Sequence, residues 1–231
     1  MEKIHVNWSG GKDSTAMLLR MIEIGEPIHK ITFADTLLEF QEMYDYIDLI
    51  SPHLPIKPTI TTPDNNFLEW FFGLFTRGQK KGEIRGFPFV VSPCWYQREA
   101  KVKPMERENK EADVICIGYA KGEEKRNMKD VRFRYPLQEW GWTEKDCIKY
   151  LKNKGLENPL YKYFDRLGCF LCHKQPKKNW YTIYKLNRTL FNFALMLESI
   201  SPHGFNPNYS LKNIKNEIQT QKTVGNFTQN S

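Results

Sequence analysis

No run of about 18 apolar residues occurs anywhere in the chain, so a membrane helix is not expected. The opening Met1-Glu2-Lys3-Ile4 leads straight into an apolar stretch without a signal-peptide pattern, which points to a soluble, cytoplasmic protein with no membrane partner. Cysteine is scarce. Five thiols, an odd number, suit metal or redox chemistry better than a disulfide framework. The Walker pattern GxxxxGK[ST] is missing, and no cysteine follows Cys172. Acids are also short, 27 against 34 lysines and arginines, and the formal charge of +7 suits an anionic partner, whether a nucleotide or a nucleic acid. With 231 residues and 40% hydrophobic composition, the chain is long enough for one sizeable domain and a small appendage.

The most informative stretch is Ile4-His5-Val6-Asn7-Trp8 followed by Ser9-Gly10-Gly11-Lys12-Asp13-Ser14-Thr15. The apolar run reads as a buried strand, and apolar residues at helical spacing (Ala16, Leu19, Ile22) begin just after Asp13. A helix N-terminus leaves backbone N–H groups without internal partners and carries partial positive charge, so it receives phosphate. Gly10 and Gly11 allow a tight bend and close approach of an anion. Lys12 adds charge, and the hydroxyls of Ser9, Ser14 and Thr15 add donors.

Ile28–Ala34 reads as a second strand ending at Asp35-Thr36, with a helix starting near Gln41. A short strand is expected over 56–60, an aromatic helix over 67–75 and a further buried strand over 113–119 carrying Cys116. Alternating strands and helices predict a parallel sheet with crossover helices, whose ligands sit beyond the carboxyl ends of the strands. Asp13 and Asp35 both fall at such ends. Arg77–Gly86 is a basic loop, either a solvated surface or a contact for a nucleotide or nucleic-acid backbone. Glu39 and Glu42 are either a solvated helix start or part of the site. Thr143 and Asp146 form a capping box, and Gly155 ends that helix.

Six residues, Ser9-Gly10-Gly11-Lys12-Asp13-Ser14, resemble the SGGKDS pyrophosphate loop of the adenine nucleotide alpha hydrolases, which include ATP pyrophosphatases and phosphoadenosine phosphosulfate (PAPS) reductases. Asp35-Thr36-Leu37-Leu38-Glu39-Phe40 is similar to that family's DTGLEF segment, with Leu37 in the place of a glycine. Cys94 with Lys101 seven positions on, the Gly118/Glu123/Arg126 set, and the Asn158-Pro159-Leu160-Tyr161 and Gly168-Cys169-Phe170-Leu171-Cys172 segments follow in the family's order. The resemblance covers about residues 1–185. It implies a Rossmann-like, doubly wound α/β domain with a mainly parallel sheet over 1–185, followed by a C-terminal helix and polar tail over 186–231.

The resemblance also implies chemistry. Ser9 to Thr15 would bind ATP or PAPS, together with Asp35, Thr36, Gly118, Glu123 and Arg126. Lys12, Asp13, Asp35, Lys101 and Arg126 would be catalytic, with the acids holding Mg²⁺ in an ATP-using enzyme. The family's reductases attack sulfur with a cysteine from a C-terminal segment that this sequence does not contain, which places an adenylating sulfurtransferase ahead of a PAPS reductase. A non-catalytic nucleotide-binding module is the third reading. A nucleic-acid acceptor, a sulfur-donor protein and thioredoxin are the implied partners. Cys94, Cys169 and Cys172 would hold an iron–sulfur cluster, with zinc as the runner-up; the fourth ligand would be Cys147, His173 or no protein residue, and Cys147, beside Ile148 and Leu151 on the expected helix, reads equally as a core residue. A single helix is expected over 180–199, and a frayed helix with a disordered tail from Ser201 onward.

Overall fold

The computed structural model describes residues 2–88 and 93–228. In chain order the elements are β1 (Ile4–Asn7), α1 (Lys12–Glu23), β2 (Ile28–Ala34), α2 (Gln41–Ile50), β3 (Thr59–Thr61) and α3 (Phe67–Phe72). They continue with α4 (Trp95–Gln97), α5 (Lys103–Glu108), β4 (Val114–Ile117), β5 (Phe133–Arg134), α6 (Pro136–Glu139) and α7 (Glu144–Lys154). The chain finishes with α8 (Lys177–Leu186), α9 (Arg188–Ile200) and α10 (Leu211–Thr228). Among the described residues no helix is long and apolar enough to cross a membrane.

Contacts divide the chain into two compact units: residues 1–64 with 98–167, and 65–97 with 168–231. This differs from the boundary expected at residue 185, because sequence order cannot show that 65–97 packs with the C-terminal helices.

The first unit is a five-stranded parallel sheet in the order β3-β2-β1-β4-β5, as the alternating pattern predicted. Val6, Ile31, Phe33 and Ile115 bury their side chains, and Met17, Leu18 and Met21 of α1 are fully enclosed. Such apolar runs are what a sheet covered by helices requires. α1 packs on α6 and α7, while α5 packs on β2 and β3. Thr143 caps α7 through the expected reciprocal box with Asp146, and Gly155 ends it in the left-handed conformation, φ 67°. The expected strand at 56–60 begins later, at Thr59. β5 carries too few apolar residues to have been noticed.

The second unit is helical and aromatic. Phe71 meets Phe87 at 5.1 Å, Phe87 meets Phe205 at 4.7 Å, and Phe205 meets Trp180 at 5.0 Å between ring centroids. Large rings buried edge to face tie the two chain segments into one core. The helix expected over 180–199 is two helices, broken at Asn187, whose side chain accepts from the Leu190 N–H and caps α9. The helix expected after Ser201 is α10, and it is packed where a frayed one was expected, burying Leu211, Ile214 and Ile218. Residues 229–231 of the expected tail lie outside the described residues.

Candidate functional site

β1 is the middle strand. After it the chain moves outward through β2 and β3, then returns to β4 on the other flank. Loops leaving the carboxyl ends of two strands at such a reversal diverge and leave a crevice. Asn7 pairs with Ile117, so the Ser9–Asp13 bend and Gly118 leave the sheet side by side.

The bend is held tightly. Gly10 stands at φ 68°, and a Cβ there would collide with the Met43 sulfur. Asn158 Nδ2 donates to the Gly10 carbonyl at 3.1 Å. The Ser9 N–H donates to Ser14 Oγ at 3.1 Å, and the Ser14 hydroxyl donates to the Gly11 carbonyl at 3.1 Å. Thr15 Oγ1 accepts from the Trp8 indole at 2.9 Å, so this hydroxyl serves the core. The Lys12 N–H, one of the unpaired donors of the α1 N-terminus, is met by the Tyr161 hydroxyl at 3.1 Å. On the β4 side, a Cβ built on Gly118 would lie 2.6 Å from Ser14 Cα and 2.8 Å from Ser14 N. Gly118 is therefore needed for close backbone approach, and α1 rests directly on it.

Each expected cation is matched with a carboxylate. Lys12 Nζ lies 2.7 Å from Glu144 Oε1 and 4.7 Å above the Tyr161 ring. Lys101, on a π-helical turn (Arg98–Val102), reaches Glu39 Oε1 at 3.8 Å. Arg126 pairs with Glu123 and lies over the Tyr119 ring at 4.1 Å, while Glu123 also accepts from the Ala120 N–H. Glu39 is not a solvated helix start: its side chain is 4% exposed and accepts from the Thr36 hydroxyl. Glu42 is exposed to solvent. Lys12, Glu144 and Tyr161 also border a cavity of about 590 Å³ with Ile148, Leu151 and Phe164 on its walls, a volume suited to a small organic ligand.

The two aspartates have different surroundings. Asp35 is buried, and its Oδ1 accepts from the Leu37 N–H at 2.7 Å and the Tyr44 hydroxyl at 2.9 Å. Leu37, where the family's segment has glycine, stands at φ 58°, the only non-glycine residue with positive φ among those described. Asp13 is pushed up to about 6, chiefly by burial, against the pull of Lys12 and with Glu144 and Glu123 adding repulsion. The Cys147 thiol bonds to its carboxylate, and Oδ1 is buried without a hydrogen-bond partner.

The cysteines do not form one set. Cys116 is enclosed in β4, and burial pushes its thiol up to about 12. Cys147, expected as a metal ligand, is fully buried on α7 beside Asp13, because α7 packs along α1. Cys94, Cys169 and Cys172 belong to the second unit. Cys94 lies close enough to Cys172 for their charges to interact, and the Cys172 N–H donates to the Cys169 carbonyl. His173 beside them is buried with Nε2 unpartnered. Among the described residues no three His, Cys, Asp or Glu side chains gather at metal-ligating positions, so this donor set fits a cluster only in part.

Asn158, Tyr161, Glu144 and Tyr44 were not singled out by sequence reasoning. Asn158 and Tyr161 belong to a segment whose resemblance was noted, but only the fold shows that it braces a loop about 150 residues earlier.

A family model for the phosphoadenosine phosphosulfate reductase domain matches residues 3–175. Two uncharacterized proteins of Methanocaldococcus jannaschii are similar. One is 30% identical over 73% of this chain and 36% of its own length, the other 24% identical over 82% and 46%. The chain thus spans less than half of the curated relatives it matches. The crystal structure of a phosphoadenylyl-sulfate reductase from Candida auris, a phosphate complex, shares the fold with a TM-score of 0.53 at 19% identity, over 73% of this chain and 82% of that one. From strand order to bend, the architecture and the motif order agree, and the chain belongs to the phosphoadenosine phosphosulfate reductase domain family.

Proposed function

We propose that the protein is an ATP-dependent adenylating enzyme that prepares an acceptor for sulfur transfer. The observation that carries this reading is the Ser9–Ser14 bend at the α1 N-terminus together with Asp13 on its first turn, a carboxylate with one buried oxygen that has no hydrogen-bond partner. A carboxylate at that position repels a bare sulfonucleotide but suits a nucleotide that arrives with a divalent cation. Attack on sulfur by Cys94, Cys116 or Cys147 is less well supported, since burial pushes all three thiols up, away from the thiolate.

In this reading the Ser9–Ser14 bend and the α1 N-terminus hold the β,γ-pyrophosphate, with the ligand replacing Tyr161 on the Lys12 N–H. Bound Mg²⁺ would neutralise charge on the phosphates, held by Asp13. An acceptor oxygen attacks the α-phosphorus, the bond from that phosphorus to the bridging oxygen breaks, and pyrophosphate leaves with the electron pair. Lys12, Lys101 and Arg126 stabilise the charge that develops on it. A sulfur donor then displaces AMP from the acceptor.

The test compares pyrophosphate release from ATP and magnesium with sulfite release from PAPS and reduced thioredoxin. Pyrophosphate release that is lost in Lys12→Ala supports the proposal. Sulfite release would replace it with the reductase reading. Tight nucleotide binding with neither product would mark a module without turnover.

A further inference from the structure

Positive charge is distributed unevenly between the two units. Residues 1–64 and 98–167 hold 22 lysines and arginines against 23 acids, whereas 65–97 and 168–231 hold 12 against 4, a formal −1 beside +8. All of the chain's excess therefore lies on the unit that lacks the phosphate loop. Such a partition serves a polyanion better than it serves general solubility.

The second unit also has a site where this charge meets aromatic surface. Leu74 and Ile84 pair antiparallel, and the connection between them turns at Gly78 (φ 78°) and Gly82 (φ 88°). Arg77, Lys80 and Lys81 on that connection are exposed, as are Phe72 (47%) and Leu74 (55%) beside it. The Arg85 guanidinium lies 4.7 Å from the Trp70 ring centroid and 5.7 Å from that of Phe75. Arg20, Arg107, Arg126, Arg132 and Arg134 all pair with carboxylates. Arg85 is half-buried, no carboxylate pairs with it among the described residues, and its buried Nε has no hydrogen-bond acceptor. A half-buried, unpaired guanidinium against half-exposed rings adds positive charge at the edge of the aromatic surface.

We propose that this hairpin, from Phe72 to Arg85, docks single-stranded nucleic acid. Arg77, Lys80 and Lys81 would take phosphates, and Phe72 with the Trp70–Arg85 stack would take bases. Stacking requires unpaired bases, so the aromatic part favours a single strand over a duplex. This assigns an acceptor class to the adenylation reading and rests on it only for that role, since binding can be measured without turnover.

The experiment is fluorescence anisotropy of the full chain with a labelled 20-nucleotide single-stranded RNA, in 50 to 200 mM salt. Three phosphate contacts at about 0.7 counterions each predict a log–log slope of about −2, or roughly 20-fold weaker binding across that range. The Arg77→Ala/Lys80→Ala/Lys81→Ala variant should flatten the slope to near zero. Phe72→Ala removes an exposed ring, so the fold is retained, and should weaken binding about 5-fold or more with the slope unchanged. Equal affinity for duplex DNA or phosphatidylserine vesicles, with Phe72→Ala silent, would overturn the proposal, as would an unaltered slope in the triple variant. Lys12→Ala should leave RNA binding intact. If it also left ATP binding intact, the phosphate-loop reading would fail while this one stood.

Discussion

Replacing Gly118 with alanine adds one methyl group at the point where β4 supports the phosphate loop. The new Cβ would sit 2.6 Å from Ser14 Cα, 2.8 Å from Ser14 N and 3.1 Å from the Asp13 carbonyl carbon. All three are backbone atoms at the start of a helix, so no flexible side chain can yield. Ordinary carbon–carbon contact is about 3.5 Å, so the first turn of α1 must withdraw by roughly 0.9 Å or β4 must bend. Overpacking of this kind costs about 1–3 kcal/mol, which in a chain of this size lowers the Tm by roughly 2–10 °C. The more telling effect concerns the ligand. Loop donors displaced by almost 1 Å lose hydrogen-bond geometry on several phosphate oxygens together, and at about 1 kcal/mol for each of two bonds ATP affinity should fall at least 20-fold. Gly155→Ala is the control: φ is 67° there, but no atom lies within 4 Å of the added Cβ. It should cost about 1 kcal/mol of stability and leave affinity unchanged. Titration calorimetry with ATP and magnesium, paired with urea melts, separates the two. Wild-type affinity in Gly118→Ala would refute the placement of the site on the Ser9–Ser14 bend.

Glu144→Gln removes a 62% exposed carboxylate that lies 2.7 Å from Lys12, and should tighten ATP binding by about 2- to 5-fold, the range of one exposed ion pair; weaker binding would mean that Glu144 assists the ligand. Asp13 is held near 6, above its unfolded value, so the folded state takes up its proton first and stability declines as pH rises from about 4 to 6. Asp13→Asn should therefore raise the Tm at pH 7.5 in magnesium-free buffer while abolishing turnover, and the gain should vanish near pH 4; a pH-independent change would refute the burial argument. Leu37→Gly relieves a left-handed leucine that is already 47% exposed, and after the loss of chain entropy a gain of roughly 0.5 kcal/mol should appear as a higher urea midpoint.

What the sequence revealed in advance was local. The β1–Gly10–Gly11–α1 unit, β2 and the Thr143–Asp146 box each depend on neighbours within a few positions, and each was read correctly. The residues that were missed act across the chain. Asn158 and Tyr161 brace Gly10 and Lys12, a relation with no local signature; Gly118 was expected at the site, but its close approach to Ser14 shows only in the fold. Cys147 looked like a spare ligand only while its position against Asp13 was unknown. The C-terminal region misled in another way. Its polar composition concealed the spacing of Leu211, Ile214 and Ile218, whose burial stabilises α10, and the capping role of Asn187 divided what read as one helix.

Lys12, Lys101 and Arg126 each face a carboxylate of their own chain in the resting protein. Chloride, with one charge, or orthophosphate, with one to two near neutrality, would meet a tethered rival at each position and could release only one pair at a time. A triphosphate brings several charges on one backbone, so one encounter can release several pairs in succession. If the three cations serve one ligand, as proposed, the site would favour long anions, a form of discrimination that needs no contact with the base or sugar.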